Sequence, residues 1–150
     1  MTESITIREL EKADIENALR LVTEVFDEYE APDYTREGAQ EFYKSIHDPD
    51  YLAQLIIYGA YDGERLVGVI ATRSGGTHIA LFFVLGEYHR RGIGKMLFNT
   101  VLNKCGADRL TVNSSPYAVP VYHRLGFSDT ITEQTVNGIR FTPMELIIRG

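Results

Sequence analysis

The segment His89-Arg90-Arg91-Gly92-Ile93-Gly94-Lys95 decides how this chain is read. Before it runs the longest apolar stretch, Ile79 to Leu85, the length of a buried strand. After it Ile93, Leu97, Phe98, Val101, Leu102 and Cys105 share one face of a helix that starts near Gly92, with Gly106 as its stop. A helix N-terminus presents unpaired backbone N–H groups and a partial positive charge. Glycines at 92 and 94 leave that backbone open to an anion, and Arg90, Arg91 and Lys95 add charge. The expected product is a phosphate or pyrophosphate cradle. It is not a P-loop, which would need glycine at His89 and Ser or Thr at Met96. Nor is it a Rossmann fingerprint, which would need a third glycine at Leu97.

Outward from the cradle, the pattern predicts an α+β chain. Arg109 to Val112 reads as the strand after the helix. A strand–helix–strand unit needs a crossover, so Thr77–Val84 and this strand should be parallel. Upstream, Ile5 and Ile7 mark a short strand. Ala13, Ile15, Ala18, Leu19, Val22, Val25 and Phe26 then follow helical spacing up to a break at Ala31-Pro32-Asp33. Thr35 can cap a second helix carrying Ala39, Phe42, Tyr43 and Ile46, ending before Asp48-Pro49-Asp50. Leu55–Tyr61 and Leu66–Thr72 form a hairpin about Asp62-Gly63, and Ser74-Gly75-Gly76 turns into the next strand. Pro116 opens a short helix, and Asn137-Gly138 marks a final hairpin whose last strand runs to about Ile148.

Composition bounds the reading. The 150 residues, 44% apolar and 24% charged, fit a single globular domain over residues 1–150 and exclude disorder. No apolar run approaches a bilayer span, and Met1 to Arg8 lacks the basic-then-apolar layout of a leader, so a reducing cytoplasmic setting is expected. Cys105, the single cysteine, has no disulfide partner and falls on the apolar face of its helix. Four scattered histidines offer no metal-ligand spacing. The net charge of −6 argues against nucleic acid as partner. Its distribution is uneven: residues 1–64 hold 16 acids against 5 bases, and residues 65–150 hold 5 acids against 10 bases. Such a chain can hold a cationic ligand against one half and an anionic ligand against the other.

The cradle resembles the acyl-CoA-binding motif of the GCN5-related N-acetyltransferase (GNAT) superfamily, Gln/Arg-x-x-Gly-x-Gly/Ala, here His89-Arg90-Arg91-Gly92-Ile93-Gly94. Histidine replaces the first residue, which in that family contributes largely through its backbone. Leu81 to Tyr88 resembles the family's fourth strand and its following loop, and Asn113 to Phe127 its second hallmark, an aromatic followed shortly by Gly-Phe. The element order fits over essentially the whole chain. The resemblance implies a bent mixed sheet of about seven strands flanked by helices, with a V-shaped split between strands 4 and 5. Acetyl-CoA is implied as co-substrate, with no metal. Phe83 and Val84 would hold the pantetheine and thioester carbonyl, and His89, Arg90, Arg91, Gly92, Ile93, Gly94 and Lys95 the pyrophosphate. Asn113, Ser115 and Tyr117 would flank the arm from the other side.

Transfer to an amine requires a deprotonated nitrogen, a stabilised oxyanion and a proton for the departing thiolate. The resemblance implies direct attack in a ternary complex. Tyr122, in Tyr122-His123-Arg124-Leu125-Gly126-Phe127, is the implied proton donor, a phenol protonated at neutral pH. His78, six residues before Val84, is the candidate base by analogy with a strand glutamate of histone-acetylating relatives. Aromatics and carboxylates interleave from Phe26 to Tyr34, so Glu28, Tyr29 and Tyr34 suit an ammonium group, whereas Arg140 on the final hairpin would favour a carboxylate-bearing acceptor. The expected function is acetyl transfer from acetyl-CoA to a small primary amine, amino-acid or polyamine-like, by a monomer or homodimer. Its rivals are acetylation of a protein N-terminus or lysine, a CoA-binding regulatory module without turnover, and a nucleotide-binding domain.

Overall fold

The computed structural model describes residues 4–148; the start of the N-terminal stretch read for a leader, residues 1–3, lies outside them. Strand β1 (Ile5–Glu9) leads through a 3-10 turn, Lys12–Asp14, into helix α1 (Ile15–Val25). Its apolar positions Ala18, Leu19, Leu21, Val22 and Val25 are all buried. The helix does not simply stop. It widens into a π-helical turn, Phe26–Glu30, in which the Ala31 N–H donates to the Phe26 carbonyl, and tightens to 3-10 at Ala31–Asp33. Thr35 then caps α2 (Arg36–Ile46), its side-chain oxygen accepting from the Gly38 N–H at 3.1 Å.

A short helix α3 (Pro49–Ala53), which the sequence reading did not assign, follows α2. Asp48 accepts from the Asp50 N–H and Pro49 fills the first turn, where a missing N–H costs nothing. Strands β2 (Ile56–Asp62), β3 (Arg65–Arg73) and β4 (His78–Val84) form an antiparallel meander with β1 on its edge. Burial is unbroken along the middle of β2 and β3, as in a sheet covered on both faces, and alternates along β4. Helix α4 (Ile93–Lys104) crosses to β5 (Arg109–Ser114). It packs on the sheet where Gly68 has no side chain, against Ile93 and Leu97. Helix α5 (Val119–Arg124) starts beyond Pro116, with Pro120 in its first turn, and β6 (Ser128–Asp129), β7 (Gln134–Val136) and β8 (Ile139–Ile147) finish the fold.

The main sheet runs β1-β2-β3-β4-β5-β8-β6, with β7 paired to β8. Counting β7, and the two-residue β6 against Glu145 and Met144, the described residues form eight strands, where about seven were expected. As expected, β4 and β5 are parallel, but they pair only at His78–Thr111 and Ile79–Val112. Beyond Ile79 they diverge, and β4 has no strand on that side. A bulge helps the divergence: Ala71 opposes Leu81 while Thr72 opposes Ile79, so Ala80 is the extra residue. This is the V-shaped split.

Candidate active site

Two adjoining cavities of about 330 Å³ each occupy the split. The first lies toward α4 and is lined by Phe83, Val84, His89, Arg90, Gly94, Tyr117 and Tyr122, all expected site residues, together with Glu30, Val121 and others. At its mouth the backbone forms the cradle. Arg90 (φ 64°) and Gly92 (φ 82°) both take left-handed conformations, which turn the loop into the helix. The first backbone bond at the start of α4 runs from the Met96 N–H to the Gly92 carbonyl, at 3.0 Å. Helix geometry therefore leaves the N–H groups of Ile93, Gly94 and Lys95 without intrahelical partners. A Cβ placed on Gly94 would meet only the Phe82 ring, at 3.7 Å, so the glycine is not dictated by packing. These features fit a bound diphosphate. Arg91 lies over the Tyr88 ring, 5.0 Å from its centroid, and Lys95 is exposed, so both act at the rim. Ile93 is buried beneath the cradle as core.

His89 does more than supply backbone. Its Nε2–H donates to the Val84 carbonyl at 2.7 Å, pinning the cradle loop to the end of β4. Tyr29 packs between His89 and Tyr117, with ring centroids 4.9 and 5.3 Å away. It thus braces the donor side and lines neither cavity.

The second cavity lies under the β7–β8 hairpin and α2. Tyr34, Asn113 and Ser115, expected site residues, line it with Glu41, Phe42, Tyr51, Leu81, Val136, Asn137, Ile139 and Phe141. No lysine, arginine or histidine does, among the described residues. Asn113 and Ser115, expected beside the pantetheine arm, thus face this chamber. Glu28 is exposed and lines neither chamber. Arg140 is also outside them. Its guanidinium donates to both oxygens of Glu133, at 3.1 and 3.3 Å, and to the Asp33 carbonyl at 2.9 Å, tying β8 to the turn after α1.

The two chambers meet at Glu30, Phe82, Phe83, Ala118 and Tyr122, which line both. Tyr122 is 5% exposed, with Phe127 edge-on at 5.3 Å. Burial first, and the charge of Glu30 second, raise its pKa, which holds the hydroxyl in its donating form. Burial pushes the Glu30 carboxyl up to about 7; a hydrogen bond from Ser115 opposes the rise and the charge of Asp33 adds to it. His78 sits where β4 and β5 still pair, outside both chambers, with Nδ1 2.8 Å from the Thr111 hydroxyl. Burial, then Arg73, lower its pKa to about 4. Cys105 is half-buried at the end of α4 and lines neither chamber.

Sequence reading passed over Glu30. The available signal was position: Glu30 follows the fully buried Phe26 by four residues, on the helical face that turns inward. Among the described residues no group of three or more His, Cys, Asp and Glu side chains is placed to hold a metal ion. No described helix is long and apolar enough to cross a membrane.

Comparison with known proteins accords with this geometry. The sequence pattern of the Acetyltransferase (GNAT) domain family matches residues 30–148. No curated protein matches the chain. Among solved structures, a GCN5-related N-acetyltransferase from Rhodopseudomonas palustris superposes with a TM-score of 0.81 at 20% identity, over 97% of this chain and 96% of that one. The PaiA N-acetyltransferase of Thermoplasma acidophilum, solved in complex with coenzyme A, superposes at 0.67 and 20% identity, over 96% and 99%. FeeM, an N-acyl amino acid synthase from uncultured soil microbes, superposes at 0.69 and 17% identity, over 96% and 91%.

Proposed function

Because the chain belongs to the GNAT acetyltransferase family, a family of acetyl-CoA-dependent acyltransferases, we propose that it moves the acetyl group of acetyl-CoA directly to a primary amine of a small molecule. The observation that carries this reading is the meeting of two chambers at Tyr122. One chamber opens on an anion cradle; the other is walled by aromatics and carboxylates. The size of the second chamber, about 330 Å³, suits a small acceptor.

When bound, acetyl-CoA supplies an activated thioester, and this chain's own groups do the rest. The N–H groups of Ile93, Gly94 and Lys95 face the diphosphate, with Arg90 and Arg91 beside it. The β4 edge past Ile79, unpaired on the β5 side, offers backbone groups to the pantetheine amides. The Tyr122 hydroxyl is the donor to sulfur as the carbon–sulfur bond breaks. Nothing in this scheme calls for a nucleophilic side chain, and Cys105 lines neither chamber.

Calorimetry with CoA tests the cradle. The wild-type chain should bind it, and Gly94→Val should weaken binding at least tenfold while Tm stays within a few degrees, because the new side chain finds room beside Phe82. Undiminished affinity in the variant would remove the cradle from the reading.

A further inference from the structure

Glu30 stands where the donor and acceptor chambers join, and its place there is built. Glu30 ends the π-helical turn Phe26–Glu30 and lines both chambers, with Ser115 close enough to bear on its carboxylate. Around it lie Tyr34 from the turn after α1, Tyr117 ahead of α5 and Tyr122 on α5, each of whose hydroxyls feels its charge. Asp33 is a like charge that bears on it; Arg90 bears on Tyr117 and Arg140 on Tyr34, neither being an ion-pair partner of Glu30 among the described residues. The acceptor chamber adds Glu41 on α2, the aromatic and aliphatic side chains of Tyr34, Phe42, Tyr51, Leu81, Ile139 and Phe141, and the uncharged polar residues Ser45, Asn113 and Asn137. A carboxylate entering it would meet two acids and no cation.

We infer that Glu30 receives the acceptor's ammonium group and takes its proton, and that this acceptor is an apolar primary amine carrying no carboxylate. The inference rests on the acetyltransferase reading and narrows it. One ammonium proton passes to the Glu30 carboxylate. The freed nitrogen pair forms the carbon–nitrogen bond, and the carbon–sulfur bond breaks with its electrons on sulfur. Tyr122 gives sulfur a proton and regains the second one that nitrogen sheds on becoming an amide. Glu30 then returns its proton to water, so one proton is released per turnover. A carboxyl titrating near 7 is divided between its two forms at neutral pH, as a recycling proton acceptor must be.

The matched probes are 2-phenylethylamine and phenylalanine, which differ by one carboxylate. With acetyl-CoA, the wild-type chain should acetylate the first with a kcat/KM at least tenfold above that for the second. Glu30→Gln should lower kcat about a hundredfold and abolish the acid limb of kcat/KM near pH 7. Its CoA affinity by calorimetry should stay within twofold. Its Tm at pH 8 should rise above that of wild type, since an ionised carboxylate no longer has to be buried. Glu30→Asp should keep the acid limb at reduced rate. An unchanged limb in Glu30→Gln, loss of CoA affinity in step with rate, or a preference for phenylalanine would each overturn the assignment while transfer itself stands. A wild-type chain that binds CoA yet releases no thiol with a broad amine panel would overturn the transferase reading and this assignment with it.

Discussion

His78 and Glu30 are displaced in opposite senses by the same cause, burial, the first where β4 and β5 pair and the second where they part. His78 titrates near 6.5 when unfolded and about 4 when folded. Between those values the unfolded chain binds more protons, so stability is present above 6.5 and is lost as pH falls toward 4. Glu30 runs the other way. Its carboxyl rises from 4.5 to about 7, so the folded chain holds more protons in that window and stability declines as pH rises through it. The two oppose one another between 4.5 and 6.5. In His78→Gln only the Glu30 contribution survives there, so the variant's Tm should fall less than wild type's between pH 6.5 and 4.5; parallel curves would refute the buried-histidine account. Neither displacement is legible in sequence, because each depends on what the fold lays over the side chain. Glu28 and Tyr29 illustrate this: the interleaved pattern of Phe26 to Tyr34 marks the right segment, but the wider π-helical turn selects Glu30 as the residue that enters the chamber.

Among the elements, local chemistry made some legible and left others hidden. The α4 start was legible because glycine and charge cluster where a helix must begin, and Gly92 does take the left-handed conformation there. The last hairpin was legible because Asn137 (φ 53°) and Gly138 (φ 80°) both need positive φ, as Asn-Gly turns of this kind do. Helix α3 was hidden because Asp48-Pro49 reads equally as a turn or as a cap plus first residue, and only five residues follow the cap. The hairpin is held by a contact no periodicity announces. Gly38 on α2 lies against Gly138, and a Cβ on Gly38 would fall on the Gly138 carbonyl oxygen. Gly38→Ala must lift the hairpin off α2. It should cost about 1–3 kcal/mol in denaturant unfolding and raise the amine KM severalfold, while the CoA Kd stays near wild type because the cradle is on the other side of the split. A CoA affinity that falls as far as the amine KM rises would show that the two chambers are not mechanically separate.

Across the whole molecule, the charge asymmetry of the sequence is now placed. The acidic first half supplies Glu30 and Glu41 to the acceptor chamber, and the basic second half supplies Arg90, Arg91 and Lys95 to the cradle. On the proposed reading both ligands approach surfaces of opposite sign, and such steering is screened over about 8 Å at physiological salt. Raising the salt from about 50 to 300 mM should weaken CoA binding severalfold, with the loss read in the association rate by stopped flow; a salt-independent rate would confine the cradle to short-range contacts. The order of elements was legible because a crossover must be parallel and the cradle must sit at its helix; the split followed only from the family resemblance. The division into two rooms was not legible, since the β7–β8 hairpin walls the second one together with α2, β8 pairing with β5 along Arg109–Ser114 and with β7 along Gln134–Val136. That hairpin separates inheritance from novelty. Insertions or exchanges in the 130–138 stretch can alter which amine is accepted while the thioester machinery, anchored on β4 and α4, is passed on intact.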